Sequence, residues 1–247
     1  MRPDASRKIA AAAPKGFNPA VIGAVIAVVV IVGVVVAILI GNNSKSVSAG
    51  SSAQPAGVIG GNGGGIVANA ATAKANAPTL DIYEDFQCPA CGDLEKRMGA
   101  TMTSMAKAGE IKLVFHILSF LDGNLRNDSS TRSANAAACA ADAGKVLEYH
   151  AAVFAGMPTR EGVGYPDAQL TEFATTSGIT GDALTTWQKC TSSGQHAQYV
   201  TSVQEASGKA GVNSTPTVKL NGQDITKSLQ SSDAAASLVA AVKAATK

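Results

Sequence analysis

Cys88-Pro89-Ala90-Cys91 lies between a short apolar run and a stretch with helical spacing. Before it, Thr79-Leu80-Asp81-Ile82-Tyr83 reads as a buried strand. After it, Asp93 to Lys107 places Leu94, Met98, Met102 and Met105 at helical intervals. A cysteine pair two residues apart at a strand-to-helix junction puts the first sulfur at a helix N-terminus. There, unpaired N–H groups and the helix macrodipole favour a thiolate over a thiol. The second sulfur falls one turn further in, close enough to close a small disulfide ring. Pro89 suits the first helical turn because it has no N–H to leave unpaired. These features predict thiol–disulfide exchange, in which a low-pKa thiolate attacks or leaves a disulfide and its neighbour resolves the mixed intermediate. Two other readings of the spacing are an inert staple and half of a zinc site. Zinc would need a second closely spaced Cys/His pair, and Cys139 and Cys190 are far apart and unaccompanied. No metal or cofactor is expected.

The formal net charge of the 247 residues is +2, but it is unevenly placed. Residues 1–41 carry Arg2, Arg7, Lys8 and Lys15 against Asp4, a local +3, which leaves the remainder at −1. Scattered lysines and few aromatics there give no nucleic-acid footprint. Residues 1–18 form a basic tail, and Pro19 to Ile40 is apolar without a charge, the length a helix needs to cross a bilayer. We expect a transmembrane helix over 19–41. The basic residues on its N-terminal side predict a cytoplasmic N-terminus, with the rest of the chain outside the membrane. A cleaved signal peptide ending near Val47-Ser48-Ala49 is the rival, disfavoured because the apolar run is longer than the usual h-region. Residues 42–78 are rich in Gly, Ser, Asn and Ala, including Gly60-Gly61-Asn62-Gly63-Gly64-Gly65, and are expected to be a flexible linker. Four cysteines beyond an apolar leader suit an oxidising compartment.

Beyond the first strand and helix, Ile111 to Leu118 reads as a second strand, with His116 on the face opposite Leu113 and Phe115. Asp122-Gly123-Asn124 marks a loop. Residues 130–211 then hold helical segments only: around Cys139, around His150, after Asp167, around Trp187 and Cys190, and around Tyr199. Thr217 to Leu220, Asn221-Gly222 and Gln223 to Thr226 read as a hairpin, and Ser232 to Ala245 as a closing helix. The order is β-α-β, a helical block, then β-β-α. Neither β-containing half is stable alone, so the two must pair.

Asp85-Phe86-Gln87-Cys88-Pro89-Ala90-Cys91 resembles the active-site stretch of DsbA-like thioredoxin-fold proteins. Gly211-Val212-Asn213-Ser214-Thr215-Pro216-Thr217 resembles their second signature, and Ala136-Ala137-Ala138-Cys139-Ala140 is similar to membrane-anchored actinobacterial members. The resemblance covers residues 79–247. It implies an α/β thioredoxin-like fold with an inserted helical domain over about 130–211, and extracytoplasmic thiol–disulfide oxidoreductase activity on exported, unfolded or reduced proteins. It further implies that Cys88 is the exposed nucleophile and Cys91 the buried resolving thiol. Pro89 and Ala90 would support them, and a cis Pro216 with the Thr215 backbone would receive substrate. Recycling would fall to a membrane redox partner of the DsbB or vitamin K epoxide reductase type. A reductase or isomerase running the same chemistry backwards, and a tethered chaperone independent of the thiols, are the alternatives. Ala90 replaces the histidine of DsbA, so Cys88 is expected to be less acidic than in that enzyme. The buried acid that relatives keep six residues before the first cysteine is Ile82 here, which leaves Glu84, Asp85 or water to serve Cys91. The resemblance also implies a Cys139–Cys190 bridge; the residues alone leave open two free, buried thiols.

Overall fold

The structure, a computed structural model, describes residues 53–246. The tail expected over 1–18 and the span expected over 19–41 lie outside the described residues. Among the described residues no helix is long and apolar enough to cross a membrane.

Five strands form one sheet in the order β1-β3-β2-β4-β5: β1 (Ile66–Val67), β2 (Thr79–Glu84), β3 (Lys112–Ile117), β4 (Thr217–Leu220) and β5 (Gln223–Asp224). β2 and β3 are parallel, with Leu80 opposite Leu113, Ile82 opposite Phe115 and Glu84 opposite Ile117. The other pairs are antiparallel. A parallel pair needs a crossover, and α1 (Pro89–Lys107) supplies it. Its apolar residues Cys91, Leu94, Met98, Met102 and Met105 recur at helical spacing and are all buried. Strand β4 joins β2 on its other edge and carries the hairpin expected at Asn221-Gly222. The second arm is shorter than expected, because Thr226–Leu229 turns into a 3-10 helix and the Val218 N–H bonds the Thr226 hydroxyl at 2.9 Å. The closing helix α8 (Ala234–Ala245) packs on α1. This is the thioredoxin-like α/β arrangement.

Six helices fall between β3 and β4: α2 (Leu121–Leu125), α3 (Ser129–Asp142), α4 (Val146–Ala155), α5 (Asp167–Thr176), α6 (Gly181–Ser192) and α7 (Ala197–Lys209). α3 is buried on nearly every side, with Ala134, Ala136, Ala137, Ala138, Ala140 and Ala141 letting α4, α6 and α7 close around it. Only Thr131, Arg132 and the end at Asp142 reach solvent, and the small side chains elsewhere let the neighbours approach closely. Cys139 and Cys190 are joined by a disulfide that ties α3 to α6, and the Trp187 indole N–H bonds the Ala136 carbonyl at 3.0 Å. The expected loop at 122–124 is instead the single-turn helix α2. Its Asp122 carboxylate accepts the N–H groups of Ser130 and Thr131 at 2.7 and 2.8 Å, so turn residues also anchor the start of α3.

The flexible linker expected over 42–78 is corrected for residues 53–78, which are folded onto the domain. β1 covers the outer edge of β3. Asn69 is buried and pins the segment: its amide donates to the carbonyls of Ala106 and Ile111 at 2.8 and 2.9 Å, and its oxygen accepts the Leu113 N–H at 3.0 Å. Glycine here serves close approach. A Cβ on Gly63 would lie 2.6 Å from the Ala206 side chain, and one on Gly65 would lie 2.5 Å from Val114. Composition misleads because glycine marks both free chain and tight backbone packing.

A second pin is His196. Its Nδ1 meets the Ala53 carbonyl and its Nε2 meets the Asp142 carboxylate, each at 2.7 Å, while Asp142 also accepts the Ala56 N–H at 2.8 Å. Both ring nitrogens face acceptors, so the imidazolium satisfies the geometry and a neutral ring cannot. Burial pulls the His196 pKa down, but Asp142 and the Ala53 carbonyl outweigh it and raise the value. Burial likewise opposes the lowered Asp142 pKa, which the His196 hydrogen bond sets. The raised histidine contributes stability that is complete below its ordinary value of about 6.5 and is lost as pH rises through the raised one. The lowered aspartate contributes above its ordinary value, about 3.9, and loses its contribution as pH falls through the depressed one. Thermal melts should therefore show highest stability between about pH 4 and 6.5 from this pair, and His196→Gln should flatten the decline on the alkaline side. Joint Cys139→Ala and Cys190→Ala substitution, opening a loop of sequence separation 51, should lower unfolding free energy in urea by up to about 4 kcal/mol.

Candidate active site

Cys88 caps the N-terminus of α1; the exposure expected of it is corrected to 8%, because the Thr215 loop lies against its sulfur, and Cys91 is wholly buried. Both are free thiols. The Cys91 and Gly92 N–H groups turn back to the Cys88 carbonyl at 3.0 and 3.2 Å, so the first helical turn is closed around the pair. Pro89 occupies the first helical position, and both it and Ala90 are exposed. Opposite stands the loop before β4, where the Thr215–Pro216 peptide bond is cis and the Thr215 carbonyl lies 3.6 Å from Cys88 Sγ. Cys88, Cys91, Thr215 and Pro216, 127 positions apart at their extremes of contact, thus meet at one edge of the domain. Cys139 and Cys190 are not part of this group. His196 is within 4.8 Å of both their sulfurs, but those sulfurs are spent on each other.

The two thiols are electrostatically unequal. A hydrogen bond from Cys91 is the largest influence on Cys88. Burial works against it, and Thr215 with the N–H groups of Cys91 and Ala90 reinforces it, bringing the Cys88 pKa down to about 6. That lies above the roughly 3.5 of DsbA, as the loss of a histidine at position 90 predicts. Burial pushes Cys91 well up, aided by its donation to Cys88 and by the charge of Glu84. One sulfur is therefore a ready nucleophile and leaving group, and the other is held as a thiol.

The segment before Cys88 is gripped by the helical insert. Asp85, its pKa raised to about 6 chiefly by burial, accepts the Ser130 hydroxyl at 2.6 Å and the N–H groups of Gln87 and Leu121 at 2.9 and 3.1 Å. The Gln87 amide donates to Ser130, Asn127 and Asp122. The Tyr165 hydroxyl donates to the Phe86 carbonyl at 2.7 Å. Further along, a Cβ on Gly92 would fall 2.6 Å from Met157 Sδ, so glycine leaves room there for the end of the Met157 side chain against the first turn of α1.

Two polar residues beside Glu84 stand outside the motif reading. His150 on α4 stacks on Phe115 with ring centroids 3.8 Å apart, and its Nε2 lies 2.7 Å from Glu84 Oε2. Glu95 joins them: one oxygen or nitrogen of each of Glu84, Glu95 and His150 lies within 4.8 Å of the others. Two signals were available. Glu84 continues the alternate-residue stripe of Leu80 and Ile82 onto the buried face, and Glu95 is four residues beyond Cys91 and so on its side of the helix. His150 gave none, because it sits at a core spacing like its apolar neighbours Leu147 and Phe154.

A family model described as Thioredoxin matches residues 70–240. The chain belongs to the thioredoxin family and is, within it, a DsbA-like protein thiol–disulfide oxidoreductase. The reduced form of the disulfide bond oxidoreductase DsbG from Mycobacterium tuberculosis is similar at a TM-score of 0.60 and 28% identity, over 74% of this chain and 88% of that one. Oxidised DsbA from the same organism is similar at 0.58 and 28%, over 71% and 91%. MdbA, a thiol-disulfide oxidoreductase from Corynebacterium diphtheriae, shares the fold at 0.58 and 24% identity, over 74% and 94%. No curated protein matches the chain in sequence.

The split between the thiols sets the proton count of reduction. Below pH about 6 both sulfurs of the reduced pair hold protons, and above it only Cys91 does. The reduction potential should fall by about 60 mV per pH unit below that point and by about 30 mV above it. Equilibration with glutathione across the pH range measures the slope, and alkylation of Cys88 should show its midpoint at the same pH.

Proposed function

We propose that this protein introduces disulfides into exported polypeptides, held at the outer face of the membrane by the span expected over residues 19–41. The observation that carries this reading is the asymmetry of the pair: an acidic Cys88, slightly exposed and 3.6 Å from the Thr215 carbonyl, and a sealed, high-pKa Cys91. A sulfur with a lowered pKa leaves readily from a mixed disulfide, which favours donating the bond rather than keeping it.

In the oxidative cycle a substrate thiolate attacks Cys88 and the Cys88–Cys91 bond breaks. A second substrate thiolate then attacks the substrate's own sulfur, and Cys88 departs as thiolate. The substrate gains a disulfide and the enzyme ends with two reduced cysteines. The exposed dipeptide Pro89-Ala90 and the half-buried Thr215-Pro216 loop frame the approach to Cys88, and Thr215 offers backbone groups to an extended chain. Reoxidation is assigned to a quinone-coupled membrane protein of the DsbB or vitamin K epoxide reductase type, reached because both are confined to one membrane.

Alkylation trapping in living cells tests the direction. Cys88 and Cys91 should be found mainly as the disulfide, whereas a mainly reduced pair would assign the protein to reduction or isomerisation. Cys91→Ala should accumulate disulfide-linked complexes with exported proteins that dissolve on reduction. A Cys88→Ser, Cys91→Ser double variant should lose all activity, and retained function would instead mark a thiol-independent chaperone.

A further inference from the structure

Glu84, Glu95 and His150 reach one spot from three elements: the end of β2, the second turn of α1 and the insert helix α4. One carboxylate oxygen of each glutamate and one ring nitrogen of His150 lie within 4.8 Å of one another. Glu84 and His150 are buried, and Glu95 lines a cleft of about 620 Å³ between α1 and α4. The protein's own contacts leave this cluster unsatisfied. Glu84 Oε2 meets His150 Nε2 at 2.7 Å, but Glu84 Oε1 and Glu95 Oε1 are sealed from solvent with no hydrogen-bond partner among the described residues. The lysines and arginines that form ion pairs there are all engaged by other carboxylates. A buried carboxylate oxygen without a donor or counter-ion is costly, and here two belong to one cluster.

We infer that Glu84, Glu95 and His150 form a binding site for a divalent transition-metal ion of the zinc type. Three atoms so spaced share a point within about 2.8 Å of each, and zinc bonds to imidazole and carboxylate are roughly 2.0–2.2 Å, so shifts of about 0.7 Å per ligand complete the set. One imidazole with two carboxylates suits zinc better than calcium or magnesium, which take oxygen ligands, or copper(I), which seeks sulfur. Three protein ligands leave the fourth tetrahedral position to a water from the cleft. The proton that holds Glu84 Oε2 against His150 Nε2 leaves to solvent as the ion enters, and the two carboxylates balance the ion's charge. No cysteine belongs to the donor set, so cysteine spacing gives no sign of it.

The surroundings hold the ligands in place. His150 stacks on Phe115 with centroids 3.8 Å apart and is flanked by Phe154 and Phe86 at 4.9 and 5.7 Å, which fixes its ring inside an apolar shell. Gly99 lies one turn beyond Glu95, and a Cβ there would collide with Glu95 Oε2, so glycine leaves room for this carboxylate beside the cleft. The cleft gives the ion its way in. Once bound, the ion fastens β2 and α1 to the helical insert without using any sulfur.

Full-length protein with both cysteine pairs oxidised, so that no thiol competes, is stripped with EDTA and titrated with Zn2+ against a chromophoric chelator. One ion per chain should bind. It should raise the melting temperature by about 5 °C at a hundredfold excess over its dissociation constant. Co2+ in its place should give visible d–d bands without sulfur-to-metal charge transfer. Glu95→Gln should weaken binding at least about tenfold, the smaller cost of removing even an outer partner of a metal ligand, and should abolish the thermal shift. His150→Gln should do the same. His116→Gln, beside Asp81 on the opposite face of β3, should leave binding and shift unchanged. No binding by the oxidised protein, binding that survives Glu95→Gln, or binding lost in His116→Gln would each overturn the site. Should His150→Gln not fold, the Glu95→Gln titration and the Co2+ spectrum decide alone. The titration needs no redox turnover, so its failure leaves the oxidoreductase assignment standing.

Discussion

One buried sulfur facing another across the first turn of a helix is the constraint that the rest of this structure serves. Bringing Cys88 to a helix N-terminus is a local matter, settled by β2, Pro89 and α1. Keeping it acidic is not local. The sulfur is largely withdrawn from water, which by itself would raise its pKa. The groups that reverse that penalty are its partner thiol, two main-chain N–H groups and Thr215, which is brought in from the far end of the chain by β4 pairing with β2. The sheet topology is thus the device that joins two distant motifs into a single electrostatic site.

The helical insert enters the same economy of position. Ser130 and Gln87 lock Asp85, Tyr165 holds the Phe86 carbonyl, and Met157 rests where Gly92 lacks a side chain. His150, from the same insert, reaches Glu84 across the sheet end. The block is therefore the second wall of the active site, made rigid by an alanine-rich central helix and by the Cys139–Cys190 bond. Thioredoxin-type chemistry and DsbA-type embellishment are mechanically continuous here.

Much of this was legible from residue order. The Cys-Pro-Ala-Cys spacing, the Met stripe of α1, the strand-turn-strand at Asn221-Gly222 and the unbroken helical periodicity of 130–211 report local physics, and local physics held. What escaped was interaction between distant segments. Residues 53–78 lack apolar periodicity, so nothing in them announces that Asn69 completes three backbone bonds or that Gly63 and Gly65 fit against neighbours. Asp122-Gly123-Asn124 has turn chemistry, yet the N–H groups of α3 recruit Asp122 into a helical cap. Glu84 and His150 carry polar side chains at core spacings, a conflict that only their mutual contact resolves.

The arrangement of β1 has a bearing on what the enzyme leaves alone. An enzyme that handles polypeptide thiols lives among extended chains seeking any open strand to zip onto. Here β1 lies along the outer side of β3, and the opposite margin ends in β5, only two residues long and exposed. With both borders of the sheet shut or too brief to template growth, extended chains gain little purchase there. The proline turn beside the reactive sulfur precedes the inner strand β4, away from both borders, so the domain is spared from being glued to extended chains along its rim.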